Sequence, residues 1–226
     1  MTDEILNVAE FDFGITRLAG EFHQDWRFYA KTPEGLIHTW ISELGELRAK
    51  KVSLLLEDTQ RMLRSELSAE SLGTLWDACV PSGRPAGLFG RDGREWLLKV
   101  ADIARSWLAE NSGSQLDVIP ACQHDPLPAP VRQWIDKTAS VGGLVRQEVS
   151  DSEFLVAWDG IADNVCPELA LRIVVRSLLN SAHPVPAYVY DELERQGAAY
   201  GYGEFLVAAM EHLIDNEVTE SQGREH

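Results

Sequence analysis

The feature that most constrains the fold is the segment GREWLLKVADIARSWLAEN at residues 93–111. Its apolar residues recur three and four positions apart, which is the spacing that places side chains along one side of an α-helix. This stripe consists of Trp96, Val100, Ile103, Ala104, Trp107 and Leu108. Asn111 and Gly113 supply a stop signal at its end. The segment therefore predicts an amphipathic helix with one buried side.

Further segments show the same spacing, and several begin with residues that cap helices. Thr32 followed by Pro33 marks one start, Ser68 marks another, and Ser150 with Glu153 has the spacing of a capping box. Helices are expected at residues 32–44, 46–64, 69–79, 131–140, 150–164, 167–180, 186–197 and 203–217. The predicted fold class is all-α, with two packed helical subdomains. An alternative is a short β element around residues 144–158, where FLVAW also fits a buried strand.

The polar residues of two helices are assigned to solvent. On the helix at 46–64, the face opposite the apolar residues is expected to be exposed to solvent, and it consists of Lys50, Lys51, Glu57, Asp58 and Arg61. The helix at 167–180 is apolar on almost every side. Its narrow solvent-exposed face is expected to consist of Arg172 and Arg176. This second helix is the predicted core helix of its half of the chain.

Proline and glycine divide the chain. Residues 80–93 contain two prolines and four glycines and predict a long loop, and residues 111–130 contain four prolines and little periodicity. We place a domain boundary near residue 120, which gives helical domains at 1–119 and 120–217. The tail at 218–226 is expected to be disordered.

The charge of the chain limits its partners. Twenty basic and 36 acidic side chains give a formal charge of -16, which repels phosphate backbones and anionic lipid. Nucleic acid and membranes are therefore excluded as expected partners, whereas a protein with a basic surface is favoured. The residues after position 113 contribute 7 basic and 18 acidic groups and carry most of this charge.

The cysteines and the first residues indicate a cytoplasmic protein. Cys79, Cys122 and Cys166 are odd in number and far apart, which predicts neither a disulfide framework nor a zinc site and suits a reducing compartment. The opening MTDEILNVAEFDFG carries acids where a signal peptide needs a basic leader. No run approaches the roughly 18 apolar residues of a membrane span.

Motifs for catalysis are not found in the sequence. It contains no G-x-S-x-G elbow, no phosphate-binding glycine loop and no pair of histidines at metal-ligand spacing. We therefore expect a protein that is not an enzyme and needs no cofactor or metal.

The stretch FHQDW at residues 22–26 has three interpretations. In the first, Phe22 and Trp26 continue a helical ladder from Leu18 into the core, and the residues between them hold the fold. In the second, a partner contacts those polar residues. In the third, His23 and Asp25 belong to a metal or hydrolase site with remote ligands, although residues two apart on a helix point to different faces.

Two segments together resemble a bacterial family of contact-dependent growth inhibition immunity proteins. ITRLAGEFHQDWRFYAKTPEGLIHTWISE is similar to the opening of that family, with its aromatic-His-Gln-Asp-Trp run and Thr-Pro helix start. REWLLKVADIARSWL, after a glycine-rich loop, is similar to the family's closing helix. The resemblance covers roughly residues 13–110. Residues 120–226 have no counterpart in it, which leaves a second immunity-like module, a fused accessory domain and an extension of the interface as alternatives.

The resemblance implies a helical protein that binds and neutralises a toxin domain, often a nuclease with a basic cleft, delivered by a neighbouring cell. Candidate partner-binding residues in both halves are Asp12, Glu21, His23, Gln24, Asp25, Asp191, Glu192 and Glu194. The alternative function is that of a cytosolic helical adaptor, unrelated to toxins, with a partner in its own cell.

Overall fold

The prediction of an all-α fold is confirmed. A computed structural model describes residues 11–81, 92–112, 122, 124–146, 148–203 and 205–215, and these residues form eleven α-helices. Their bounds are α1 Gly14–Gly20, α2 Trp26–Tyr29, α3 Pro33–Glu43, α4 Arg48–Arg64, α5 Ala69–Cys79, α6 Gly93–Asn111, α7 Ala129–Val141, α8 Asp151–Asn164, α9 Pro167–Ser181, α10 Ala187–Ala199 and α11 Phe205–Ala208. Short 3₁₀ helices occur at Gly45–Leu47 and Glu211–Leu213.

The predicted capping residues begin their helices. The side-chain oxygens of Thr32, Ser68 and Ser150 each accept a hydrogen bond from the backbone N–H three residues later, at 3.0, 3.0 and 3.3 Å. Each bond satisfies an N–H group that the first turn of a helix otherwise leaves unpaired. Because α8 starts directly after Ser150, the FLVAW segment is helical, and the alternative of a β element around residues 144–158 is wrong.

The one sheet of the described residues lies near the end of the chain. Strand β1, Val185–Pro186, pairs in parallel with strand β2, Ile214–Asp215. The prediction of one long helix over 203–217 is wrong, because helix α11 ends at Ala208 and the following residues turn to reach β1. Met210 and Leu213 are buried as the periodicity predicted, but a 3₁₀ turn places them there.

Helix α5 joins the two halves of the molecule. It packs against α6 in the first half and against α8 and α9 in the second, while α4 packs against α6 and α1. Buried apolar side chains from all these helices belong to one hydrophobic core. Gly160 inside α8 allows a close approach, because a Cβ atom there would lie 2.6 Å from Leu67 Cδ2.

Three sequence predictions fall on parts of the chain outside the described residues. They are the greater part of the loop at 80–93, the boundary near residue 120 and the tail at 218–226. The division into domains at 1–119 and 120–217 stays a prediction.

The sequence indicated no disulfide framework, and this prediction is wrong for one pair of cysteines. Cys122 and Cys166 form a disulfide, with Cα atoms 5.4 Å apart and a sequence separation of 44. The bond joins the segment before α7 to the residue that precedes α9. Their distance in sequence hid the pairing, because packing alone brings these two segments together. The cytoplasmic location, which relied partly on unpaired cysteines, stays a prediction.

The third cysteine leads to a prediction about thiol reactivity. Cys79 is buried, and burial raises the pKa of its thiol to about 12. Because the thiolate is the reactive form, we expect the native protein to resist a thiol reagent at about pH 8. Counting with Ellman's reagent should give one thiol per chain after unfolding without reductant, and three after reduction. Three thiols in unfolded, unreduced protein would contradict the disulfide.

Candidate partner-binding surface

The FHQDW stretch forms a turn between two helices. Helix α1 ends at Gly20, and the N–H groups of Glu21 and Phe22 bond to the carbonyls of Leu18 and Ala19. Helix α2 begins only at Trp26. The prediction of a continuous helical ladder through this stretch is therefore wrong, although both aromatics and Leu18 are buried as expected.

An aromatic cluster anchors this turn in the core. Phe22 is fully buried, and its ring makes edge-to-face contacts with Trp26, Trp76 and Trp96, at centroid distances of 5.6, 5.6 and 5.8 Å. Trp76 lies on α5 and Trp96 on α6, and their rings are 5.3 Å apart. Such ring pairs add directional attraction to the burial of large apolar surfaces. The turn is thus fixed to two long helices.

The polar residues of the turn lie at the surface. Gln24 and Asp25 are exposed and His23 is half-buried. The backbone N–H of Asp25 donates to His23 Nδ1 at 3.2 Å, and the His23 ring meets the Tyr29 ring edge-on at 5.8 Å. The His23 imidazole therefore contacts Asp25 within the turn and Tyr29 in helix α2.

Helix α2 adds three residues that the sequence analysis missed. Phe28 is 87% exposed, Tyr29 is 61% exposed, and the Arg27 guanidinium lies 5.4 Å from the centre of the Trp26 ring. A helix of a single turn is too short to show periodicity, so the sequence could not indicate which residues of α2 are exposed. The available signal was composition, because Arg and aromatic residues are enriched where proteins bind one another. We call the set from both segments the α2 surface: His23, Gln24, Asp25, Arg27, Phe28 and Tyr29.

Two other predicted contact residues bond within the chain. Asp12 accepts a hydrogen bond from the Thr16 hydroxyl at 2.5 Å and pairs with Arg176 of α9. Glu21 pairs with Arg17 at 2.5 Å, one turn earlier. A partner would have to compete with these bonds, whereas the α2 surface presents its aromatic rings directly to solvent.

The predicted acidic residues of the second half lie on helix α10. Asp191 and Glu194 are exposed, and Glu192 is half-buried and paired with Arg195 at 2.7 Å. Helix α10 packs against α7 and α11, while α2 packs against α3. The two groups of candidate residues thus lie on elements with different packing partners.

A buried ionic cluster also connects the two halves, and the sequence analysis missed it. The Arg172 side chain is 1% exposed and donates to both carboxylate oxygens of Asp58, at 2.8 and 2.7 Å. It also donates to Glu168 at 2.6 Å and to the Phe13 carbonyl at 2.9 Å. Asp58 and Arg172 were both assigned to solvent-facing stripes, and both assignments are wrong because the two residues face each other.

Burial and pairing act in opposite directions on the carboxyl groups of this cluster. Removal from water raises the pKa of Asp58 above its ordinary value, against the opposing effect of Arg172. Burial also acts to raise the pKa of Glu168, but Arg172 and the Tyr202 hydroxyl, which donates at 2.5 Å, hold that pKa below its ordinary value. One guanidinium faces two carboxylates, so the cluster is held together only while Arg172 is present.

Two features are absent from the described residues. Within the described ranges, no three side chains of His, Cys, Asp or Glu come together in a way that could bind a metal ion. In the same ranges, no helix combines the length and apolar character needed to cross a bilayer.

Comparison with protein-family models, curated proteins and solved structures finds no match. The resemblance to immunity proteins therefore rests on the quoted sequence segments alone.

Proposed function

We propose that this chain is an immunity protein that binds a bacterial toxin domain and blocks its activity. The observation that carries the proposal is the set of exposed aromatic and polar side chains on the α2 surface. The buried residues Phe22 and Trp26 anchor this surface to the core. Phe28 and Tyr29 expose large rings that a soluble protein gains little by leaving in water. They lie within the segment that resembles the immunity family.

The anchoring of the surface supports binding rather than a purely structural role. Phe22 and Trp26 are buried in the core, while the neighbouring residues Gln24, Asp25, Arg27, Phe28 and Tyr29 are exposed. A surface that is already rigid loses little conformational entropy when a partner binds. Tyr, Arg and Trp dominate the residues whose removal weakens interfaces most, and this turn supplies Arg27 and Tyr29 for that role.

The charge of the molecule supports a basic partner. A formal charge of -16 attracts a basic toxin over a distance and raises the association rate. The exposed carboxylates of Asp191 and Glu194 on α10 add to this field. We expect the association rate to fall as ionic strength rises, because salt screens charges that are separated by solvent.

Co-expression tests this function. The protein is produced together with a candidate toxin domain encoded by a neighbouring gene, and growth and co-purification are both scored. Restored growth with a stable complex supports immunity by direct binding. Failure of growth together with the lack of a complex overturns the proposal for that toxin. A complex with a protein of the producing cell, without protection, would instead support the adaptor function.

The α2 surface gives a specific prediction. Replacing Phe28 with Ala should weaken the toxin complex by about 2 kcal/mol or more, as expected for an aromatic residue at the centre of an interface. The free energy of unfolding should change by less than about 0.5 kcal/mol, because the ring is almost wholly exposed. Isothermal titration calorimetry and urea unfolding measure the two quantities.

A matched control is Val141→Ala, which shortens an exposed apolar side chain at the end of α7, a helix that packs mainly against α8 and α10. It should change neither affinity nor stability. Equal affinities for Phe28→Ala and the unmodified protein would remove the α2 surface from the interface, even if the protein still protects.

A further inference from the structure

A groove beside helix α1, lined in part by Gly14 and Arg17, has the character of a ligand site. Its volume is about 600 Å³, within the range of roughly 300–1,000 Å³ for small-molecule sites. Helix α9 contributes Val175 and Leu179, helix α3 and its C-cap contribute Trp40 and Leu44, and α11 forms another side. Most of this lining is apolar.

Two stacked aromatic rings form part of the wall. Phe11 is 62% exposed and Phe205 is 44% exposed, with ring centroids 5.0 Å apart and planes 10° from parallel. Large apolar side chains that remain in water beside a groove mark surfaces that bind apolar ligands. The rings are far apart in sequence, so the fold assembled this wall.

The charges of the lining favour an anion. Four cations and one carboxylate line the groove, in a chain with an excess of acids. Arg17, Arg172 and Arg176 each pair with a carboxylate. Lys51 differs, because no ion pair joins it to a carboxylate of the described residues. Lys51 is half-buried and lines the groove together with the apolar residues Trp40, Leu44 and Leu47.

We propose that this groove binds an amphipathic carboxylate, with its hydrocarbon chain along the apolar lining and its carboxylate on Lys51. The apolar walls account for the hydrocarbon chain, and Lys51, which forms no ion pair within the described part of the sequence, accounts for the head group, because an ammonium group forms charge-assisted hydrogen bonds with a carboxylate. The site is separate from the α2 surface, so it does not depend on the proposed function.

Fatty acids of increasing length test the site. Purified protein is titrated with octanoate, decanoate and dodecanoate below their micelle concentrations, and binding is followed by calorimetry and by the fluorescence of Trp40 and the other tryptophans. We expect one molecule per chain, with affinity rising about threefold to fourfold per added CH₂ group, the value for transfer of hydrocarbon from water. Dodecanol and dodecyltrimethylammonium should bind at least about tenfold more weakly than dodecanoate, because they lack the anionic head.

Three variants locate the site. Lys51→Met should weaken dodecanoate binding about tenfold, the typical effect of losing a hydrogen bond to a charged group. Lys50→Met is the matched control, since Lys50 is exposed, adjacent in sequence and not part of the lining. Ala209→Trp fills the groove and should abolish binding, with thermal unfolding used to verify that this variant is folded.

The opposing outcomes are equally definite. No saturable binding of dodecanoate below a Kd of about 1 mM would overturn the proposal. Equal binding of the carboxylate and the ammonium surfactant, or equal effects of Lys51→Met and Lys50→Met, would overturn the assignment of an anionic ligand. Binding that survives in folded Ala209→Trp protein would place the ligand elsewhere.

Discussion

Replacing Arg172 with Met should lower the free energy of unfolding by about 3–5 kcal/mol, the usual cost of removing one partner from a buried ion pair. Asp58 and Glu168 would then be left buried without their cation. Methionine fills a similar space, so the loss should come from electrostatics more than from a cavity. Urea unfolding followed by circular dichroism measures it.

The loss of stability in Arg172→Met should depend on pH, and the direction follows from the pKa values of Asp58 and Glu168. Without Arg172, burial raises the pKa values of both carboxyl groups in the folded state above those in the unfolded chain, near 3.9 for Asp and 4.3 for Glu. The folded state then binds more protons, so its stability increases as pH falls toward those unfolded values. The deficit of Arg172→Met relative to the unmodified protein should therefore be smaller at about pH 5 than at about pH 8.

An exposed pair provides the control for this experiment. Arg195→Met breaks the ion pair with Glu192 at the surface of α10, and it should cost no more than about 1 kcal/mol. If Arg172→Met costs as little as Arg195→Met, the buried cluster does not stabilise the fold as its geometry indicates.

Replacing Phe22 with Ala should cost about 3–5 kcal/mol of stability, the range for truncation of a buried aromatic residue. The ring is fully buried and contacts three tryptophan rings, so its removal leaves a cavity bordered by rigid groups. Trp26→Ala should fall in the same range. Urea unfolding gives the energies, and near-ultraviolet circular dichroism reports the loss of fixed tryptophan environments.

Phe28→Ala is the natural comparison, because the same residue type lies six positions later with its ring in water. It should leave the unfolding curve nearly unchanged. Similar losses for Phe22→Ala and Phe28→Ala would contradict the assignment of one phenylalanine to the core and the other to a binding surface.

Local sequence signals were sufficient where a long helix has one buried side. The stripe at 93–111 became α6, and the cap residues Thr32, Ser68 and Ser150 begin α3, α5 and α8. In these segments, spacing and capping act within a few residues, so the sequence contains the needed information. The helix start at Ser150 also decided correctly between helix and strand.

The same signals failed where residues far apart in sequence determine the outcome. Asp58 on α4 and Arg172 on α9 each resemble solvent-facing residues of an amphipathic helix, and only their mutual contact makes burial favourable. The end of the chain has a helical pattern, yet Ile214 and Asp215 pair with a strand at residues 185 and 186. The disulfide between Cys122 and Cys166 likewise depends on packing.

The candidate surface was predictable only in part. The sequence indicated His23, Gln24 and Asp25 because they stand between two aromatics within a recognisable motif. It gave no reason to place Phe28 and Tyr29 in water, since their exposure follows from the turn at 21–25 and the shortness of α2.

The buried cluster has a consequence for how this protein can vary over evolution. Gly14 has a φ of +62°, and a Cβ atom there would lie 1.9 Å from Asp58 Oδ2, the atom that also accepts a bond from the Ile15 N–H. Any larger residue at position 14 therefore has to displace the Asp58 carboxylate, the main partner of Arg172, and has to adopt a backbone conformation that L-residues rarely take. Positions 14, 58 and 172 should therefore change together among homologous chains, whereas the exposed residues of α2 should vary independently of them.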